Sequence, residues 1–137
     1  GPSTALFEDC IIHSKRNSYV TAASTPKEAK YGYIFKHCKL TAEPGVDKVY
    51  LGRPWRPYAY TLFIECELGK HIVPAGWHNW GKQSNEETAR YMEYKNTGEG
   101  ANVSERVAWS KQLTKKEAEA VTVDAIFGTQ SNWNPID

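Results

Sequence analysis

Three cysteines recur at a spacing of 28 residues, and a phenylalanine precedes each of them by three positions. Aligned on the cysteines, the chain reads "ALFEDCIIHS", "YIFKHCKLTA" and "TLFIECELGK". The shared positions are Phe7, Phe35 and Phe63, and Cys10, Cys38 and Cys66. A fixed period of roughly 20 to 50 residues is typical of solenoids, in which each repeat forms one structural unit. The repeat therefore predicts a stacked fold.

Each copy alternates apolar with polar residues over a few positions, which is the pattern of a β-strand. Turn-rich stretches such as "STPKEAKYG" and "AEPGVDK" separate the copies. Stacked strands would bury their inner faces by forming ladders of like side chains about 4.8 Å apart. We predict an all-β parallel β-helix of about four coils, with Tyr91 and Tyr94 replacing phenylalanine and cysteine in the fourth copy. The alternative is a β-sandwich with evenly spaced cysteines, which explains the shared phenylalanine register less well.

The cysteines show no C-x-x-C pair and no zinc-ligand spacing, and the four histidines are scattered. We expect no metal and no cofactor. An odd cysteine count allows at most one disulfide, and the repeat predicts that all three thiols are small buried hydrophobic groups.

Composition restricts the class of partner. The 137 residues suit one domain, and 17 basic against 16 acidic residues leave a net charge of +1. This balance gives no basic surface for nucleic acid, and no apolar run reaches the roughly 20 residues of a membrane helix. We therefore expect neither partner. Five tryptophans and eight tyrosines are the stronger bias.

The C-terminal part has a helical pattern. Thr114 and Glu117 form the S/T-x-x-E signature of a capping box, and apolar residues follow at helical spacing up to Gly128. We predict coils over residues 1–113, a short α-helix over 114–128 that lies against the solenoid or closes its end, and an extended tail over 129–137.

The stretch "LGRPW" combines a guanidinium and an indole in a rigid segment. Gly52 removes a side chain beside Arg53, and Pro54 restricts the backbone next to Trp55. A guanidinium offers a planar fork to a carboxylate, and an indole offers a flat face to a sugar ring. The pair suits an acidic polysaccharide. The alternative is an arginine stacked on tryptophan to seal a turn.

With "YLGRPW", the later "GW", "EYKNTGEGA" and "SYVTAAS", the chain resembles the pectin methylesterase (pectinesterase) family from about Ala5 onward. The resemblance implies a right-handed parallel β-helix. It also implies that Arg53 is the active-site arginine, that Trp55 packs on the sugar, and that Trp77 and Trp80 line the substrate cleft. Tyr19, Tyr58 and Tyr60 are weaker candidates, better explained as core or rim tyrosines.

The family mechanism needs two aspartates and glutamine amides, which the family carries on coils before "ALFEDC". Glu8, Asp9, Asp47 and Asp124 lack the family context, so none is a candidate catalyst. We expect the C-terminal half of an esterase that removes methyl esters from pectin (homogalacturonan), inactive alone. The alternative is a non-catalytic pectin-binding solenoid.

The resemblance further implies a secreted, extracellular or periplasmic location, although no leader is visible. An exposed first coil predicts self-association or pairing.

Overall fold

The computed structural model describes residues 4–121, which form short parallel strands joined by loops. The strands are β1 (Ala5–Glu8), β2 (Ile11–Ser14), β3 (Tyr19–Ala23), β4 (Tyr33–Lys36), β5 (Lys39–Ala42), β6 (Tyr50–Pro54), β7 (Tyr60–Ile64), β8 (Glu67–Leu68), β9 (Arg90–Tyr94) and β10 (Lys111–Gln112). The helices are α1 (Asn85–Thr88) and α2 (Lys115–Glu119), with 3-10 turns at Glu99–Ala101 and Val103–Glu105. No helix in the described range is long and apolar enough to span a membrane.

The strands form three sheets, and the first two turns of the chain add one strand to each, whereas later strands extend only the first and second sheets. Their orders are β1-β4-β7-β9-β10, β2-β5-β8 and β3-β6, and all pairings are parallel. This confirms the predicted parallel β-helix and excludes the β-sandwich. The solenoid has about three turns, slightly fewer than the four predicted, because only the first sheet continues beyond the third turn.

The predicted phenylalanine ladder is present. Phe7 pairs with Phe35 and Phe35 with Phe63 in strand register, with ring centroids 4.8 and 4.6 Å apart and nearly parallel planes. Stacking at the strand spacing lets each ring cover the next. The repeat thus sets both the strand register and the aromatic column of the core.

Two of the three cysteines are buried as the repeat predicts, and Cys10 is the exception. Cys38 and Cys66 are buried, and their thiols donate to the carbonyls of Phe7 and Phe35 in the preceding turn. Burial raises the pKa of the Cys66 thiol to about 12. Cys10 is exposed, so its predicted burial is wrong, because nothing in the described residues stacks on the first turn at this position. All three cysteines are free.

The prediction for the fourth copy is also wrong in register. β9 pairs Phe63 with Glu93, 30 residues on, and the side chain of Asn96 accepts from the Cys66 amide. The turn that includes α1 is two residues longer than the others. The phenylalanine column therefore continues as Glu93 and the cysteine column as Asn96. Tyr91 instead lies opposite Thr61, and Tyr94 opposite Ile64.

Glu93 is buried and forms an ion pair with Arg106. The Arg106 Nε donates to Glu93 Oε2 at 2.8 Å, and Nη2 donates to Oε1 at 3.1 Å. The guanidinium also donates to backbone carbonyls, including that of Gly100 at 2.7 Å. A buried charge needs such full pairing to be tolerated. The ion pair attaches the loop that follows β9 to the buried Glu93 side chain of β9.

The helix α2 begins as predicted. The Glu117 amide donates to Thr114 Oγ1 at 3.1 Å, and the Thr114 amide donates to Glu117 Oε1 at 2.9 Å, which completes the capping box. Val121 packs on the outer side of the first sheet with Ile34 and Leu62. The helix ends at Glu119, so the prediction is wrong for Ala120 and Val121, which are described and lie outside the helix. The rest of the predicted helix and the tail, residues 122–137, lie outside the described residues.

Candidate functional site

Arg53 lies on β6, which the fold holds close against the core. Its partner in the parallel register is Ala22 of β3. A Cβ on the neighbouring Gly52 would collide with the hydroxyl of Thr21 and lie 3.0 Å from Trp77 Cζ3. Glycine is therefore required here for close packing, not for a turn. The Trp55 amide then donates to the Ala23 carbonyl at 2.9 Å, which fixes the chain as it leaves β6.

Three aromatic rings surround the Arg53 guanidinium. Its Cζ atom lies 3.8 Å from the centroid of the Trp80 ring, 4.9 Å from that of Tyr19 and 5.8 Å from that of Trp55. A cation within about 6 Å of a ring centroid is attracted to the ring face. Arg53 Nε is buried and has no hydrogen-bond partner within residues 4–121. The cage thus holds the cation in place but leaves a donor unused.

Two of the three rings are accessible from solvent. Trp55 is 57% exposed and Trp80 is 38% exposed. Their centroids lie 6.4 Å apart, with the planes tilted by 42°. Exposed indoles of this size are uncommon unless a surface uses them. The pair offers two flat apolar faces on either side of one positive charge.

Two further rings, Tyr50 and His78, pack beside the Arg53 site, and no sequence pattern indicated them. Tyr19 was only a weaker candidate. The ring of Tyr19 stacks on Tyr50 at 5.4 Å, and His78 packs edge-on against both at 5.6 and 5.1 Å. Tyr19 and Tyr50 are 31 residues apart and occupy paired positions of β3 and β6. Their separation differs from the repeat length of 28, so the cysteine spacing does not reveal this pair.

Trp77 does not belong to the exposed platform. It is 1% exposed, stacks on Tyr91 at 4.2 Å, and its Nε1 donates to Glu93 Oε2 at 3.3 Å. This burial contradicts the expectation that Trp77 lines a substrate cleft. Trp77 supports the site from inside, because it fills the space beneath Gly52.

Tyr60 and Tyr58 are also separate from the contacts of Arg53. Tyr60 is 7% exposed, and burial raises the pKa of its phenol despite the nearby Arg90. The Tyr58 carbonyl accepts from Arg90, while its ring lies 5.5 Å from the ammonium group of Lys27. Their placement agrees with the interpretation of these residues as core and rim tyrosines.

No acid within residues 4–121 forms an ion pair with Arg53. Glu8, Asp9 and Asp47 are exposed, and Glu93 is committed to Arg106. Asp124 lies outside the described residues. The arrangement is a caged cation and a pair of exposed indoles. It suits the recognition of a ligand that combines the apolar faces of sugar rings with carboxyl groups.

Comparison with known proteins places this chain in a family. The family model described as pectinesterase matches residues 1–130. Pectinesterase 31 of Arabidopsis thaliana is 40% identical over 119 residues, which cover 86% of this chain and 38% of that protein. The chain belongs to the pectinesterase family.

Solved structures agree with the assignment. The pectin methylesterase of Aspergillus niger superposes with a TM-score of 0.82 at 30% identity, covering 100% of this chain and 44% of that chain. A pectin methylesterase in complex with a hexasaccharide gives a TM-score of 0.75 at 28% identity, over 90% of this chain and 44% of that chain. In these three comparisons the match covers less than half of the relative's length.

Proposed function

We propose that this chain supplies the arginine and the sugar-binding platform of a pectin methylesterase, which removes methyl esters from homogalacturonan and releases methanol. The observation that carries the proposal is the Arg53 guanidinium held among Tyr19, Trp55 and Trp80, with two exposed indoles beside it. The hexasaccharide complex of a related pectin methylesterase supports a carbohydrate ligand.

In the proposed reaction, this chain supplies the arginine, and other coils supply the carboxylates and the glutamine amides. In the family's reaction, an aspartate attacks the ester carbonyl, methanol leaves, and water then releases the free galacturonate. A second aspartate acts as acid and then as base, and glutamine amides stabilise the oxyanion. Arg53 would hold the attacking carboxylate and keep it ionised, since a close opposite charge favours the charged form. We infer that both carboxylates come from preceding coils, because no described acid contacts Arg53.

Binding of a short pectin oligomer tests the platform without requiring turnover. A methyl-esterified hexagalacturonate should bind the chain in calorimetry, and Trp55→Ala should weaken binding by roughly two- to tenfold, the value of one stacking ring. Phe7→Ala is the control, because Phe7 is likewise an exposed aromatic residue, at 38% exposure, but lies on β1 in the first sheet. Equal affinity of Trp55→Ala and wild type would contradict the proposal.

A non-catalytic pectin-binding module is the second candidate. It is favoured by one observation: the platform is complete within the described residues, while the caged cation has no carboxylate partner there. Both candidates predict binding, and only the first predicts a role for Arg53 in turnover once carboxylates are supplied. For either, we propose action outside the cell, as the family resemblance implies.

A further inference from the structure

We propose that His78 is a positioning residue of this site: its Nδ1 atom fixes the backbone of Trp80 and so sets the indole over Arg53. The inference concerns the arrangement of the free chain, and its consequence for ligand binding rests on the proposed function. It depends on the loop that follows the core residue Trp77.

Trp80 has an unusual backbone conformation. Its φ angle is 60°, in the left-handed region that bulky residues rarely adopt, and Gly81 follows at 72°. The Trp80 amide donates to His78 Nδ1 at 2.9 Å, and the Gly81 amide donates to Asn79 Oδ1 at 2.9 Å. Two successive left-handed residues thus each have their amide accepted by a side chain two positions earlier. Side chains that accept in this way stabilise turns against extended alternatives.

The loop is attached to the site at one end and to α1 at the other. The His78 amide donates to the Gly52 carbonyl at 3.0 Å, directly beside Arg53. Asn79 Nδ2 donates to Glu86 Oε2 at 2.9 Å, and buried Asn85 donates to the Asn79 carbonyl at 3.0 Å. The Asn79 half of the turn is therefore braced by α1. The Trp80 half depends on the His78 ring nitrogen.

The bond to Trp80 requires one protonation form of His78. Nδ1 can accept only when it carries no hydrogen, and in the imidazolium both ring nitrogens are donors. Among the described residues, the titratable side chains that contact the His78 ring are Tyr19 on β3 and Tyr50 on β6. The Arg53 guanidinium lies against the rings of Tyr19 and Trp80. Within residues 4–121 no carboxylate pairs with His78. Protonation would thus replace an acceptor by a donor that faces the Trp80 amide.

Two substitutions test the ring of His78 and its hydrogen-bond acceptor separately. His78→Phe keeps a flat ring against Tyr19 and Tyr50 but removes the acceptor, whereas His78→Asn keeps an acceptor at the same reach but removes the ring. His13→Phe, on β2 in another sheet, is the matched control. NMR on the full chain would follow hydrogen exchange of the Trp80 amide and the nuclear Overhauser signal between the Trp80 ring and the Arg53 side chain.

At pH 8, His78→Phe should exchange the Trp80 amide roughly two- to tenfold faster than wild type, as expected when one hydrogen bond is removed, and weaken the Overhauser signal to Arg53. His78→Asn and His13→Phe should stay close to wild type. A signal that persists at full strength in His78→Phe, or that is lost in His78→Asn, would overturn the proposal. If His78→Phe does not fold, the comparison of His78→Asn with wild type decides.

Titration with methyl-esterified hexagalacturonate completes the test. His78→Phe should bind at least twofold more weakly than His78→Asn at pH 8, because Trp80 is no longer held in place. Equal binding by the two variants, although the Overhauser signal to Arg53 is weaker in His78→Phe, would overturn the consequence for the ligand. Absence of binding by wild type would instead count against the proposed function, while the NMR result would still decide the role of His78.

Discussion

Glu93 occupies the position where the repeat would place a fourth phenylalanine, and it is the clearest case of a residue that the sequence pattern could not predict. The local sequence offers Tyr91 at the expected spacing, and only the longer turn reveals the shift of two residues. The carboxylate is tolerated because Arg106 and Trp77 both donate to it. In contrast, the closeness of the Arg53 guanidinium to the Trp55 ring could be predicted, because both residues lie in one short contiguous stretch. Their role in binding and catalysis stays a prediction.

Replacing Arg106 should strongly lower the free energy of unfolding. Arg106→Met leaves Glu93 as a buried carboxylate without its cation, and loss of one partner of a buried pair costs about 3–5 kcal/mol. Urea unfolding followed by circular dichroism would measure the change in the free energy of unfolding. Arg56→Met is the control, because Arg56 is exposed, and it should change stability by less than about 0.5 kcal/mol. A similar effect of both variants would show that the pair contributes little.

At the scale of elements, the ladders and the capping box are the parts of the fold that the sequence predicted best. The capping box depends on a spacing of three residues, and the phenylalanine ladder on a 28-residue period that holds from β1 to β7. The exposed aromatic cluster was predicted only in part, since Tyr19, Tyr50 and His78 come from segments of unequal length. Trp77 was wrongly expected at the surface, because a "GW" motif does not say which side of the sheet the indole occupies.

Among substitutions in the phenylalanine ladder, replacement of the central residue should destabilise the protein most. Phe35 is 5% exposed between two rings, so Phe35→Ala should cost about 3–5 kcal/mol, the usual range for a buried phenylalanine. Phe7→Ala should cost clearly less, since Phe7 is 38% exposed and has a ring on one side only. Denaturant midpoints of the two variants would give the comparison. Equal losses of stability would contradict a ladder stabilised by burial.

The capping box should remain intact in acid. The ion-paired hydrogen bond from Lys111, followed by the amide of Thr114, lowers the pKa of Glu117 from 4.5 to about 2. Because the folded pKa is depressed, the stabilisation is complete above about pH 4.5 and is lost as the pH falls towards 2. The Thr114 amide shift in NMR should therefore titrate near pH 2, and Glu117→Gln should abolish this titration. A midpoint near 4.5 in wild type would contradict these bonds.

At the scale of the whole molecule, the first turn is the least covered part of the described solenoid. Ile11 is 73% exposed, and Phe7, Ile12, Val20 and Phe35 line an apolar depression at this end. Pectinesterase 31 and the Aspergillus niger enzyme are more than twice as long as the matched region, and an apolar end is a surface on which further coils can stack. Self-association or pairing through this turn stays a prediction.

Methanol release from methyl-esterified pectin tests the central claim, that this chain provides the arginine and the platform but not the carboxylates. The purified chain is assayed alone and after mixing with a polypeptide that carries the family's preceding coils and their aspartates. We expect the chain alone to match the buffer control, and the mixture to release methanol in a manner that Arg53→Ala abolishes. Turnover by the chain alone, well above the control and absent from Arg53→Ala, would contradict the account.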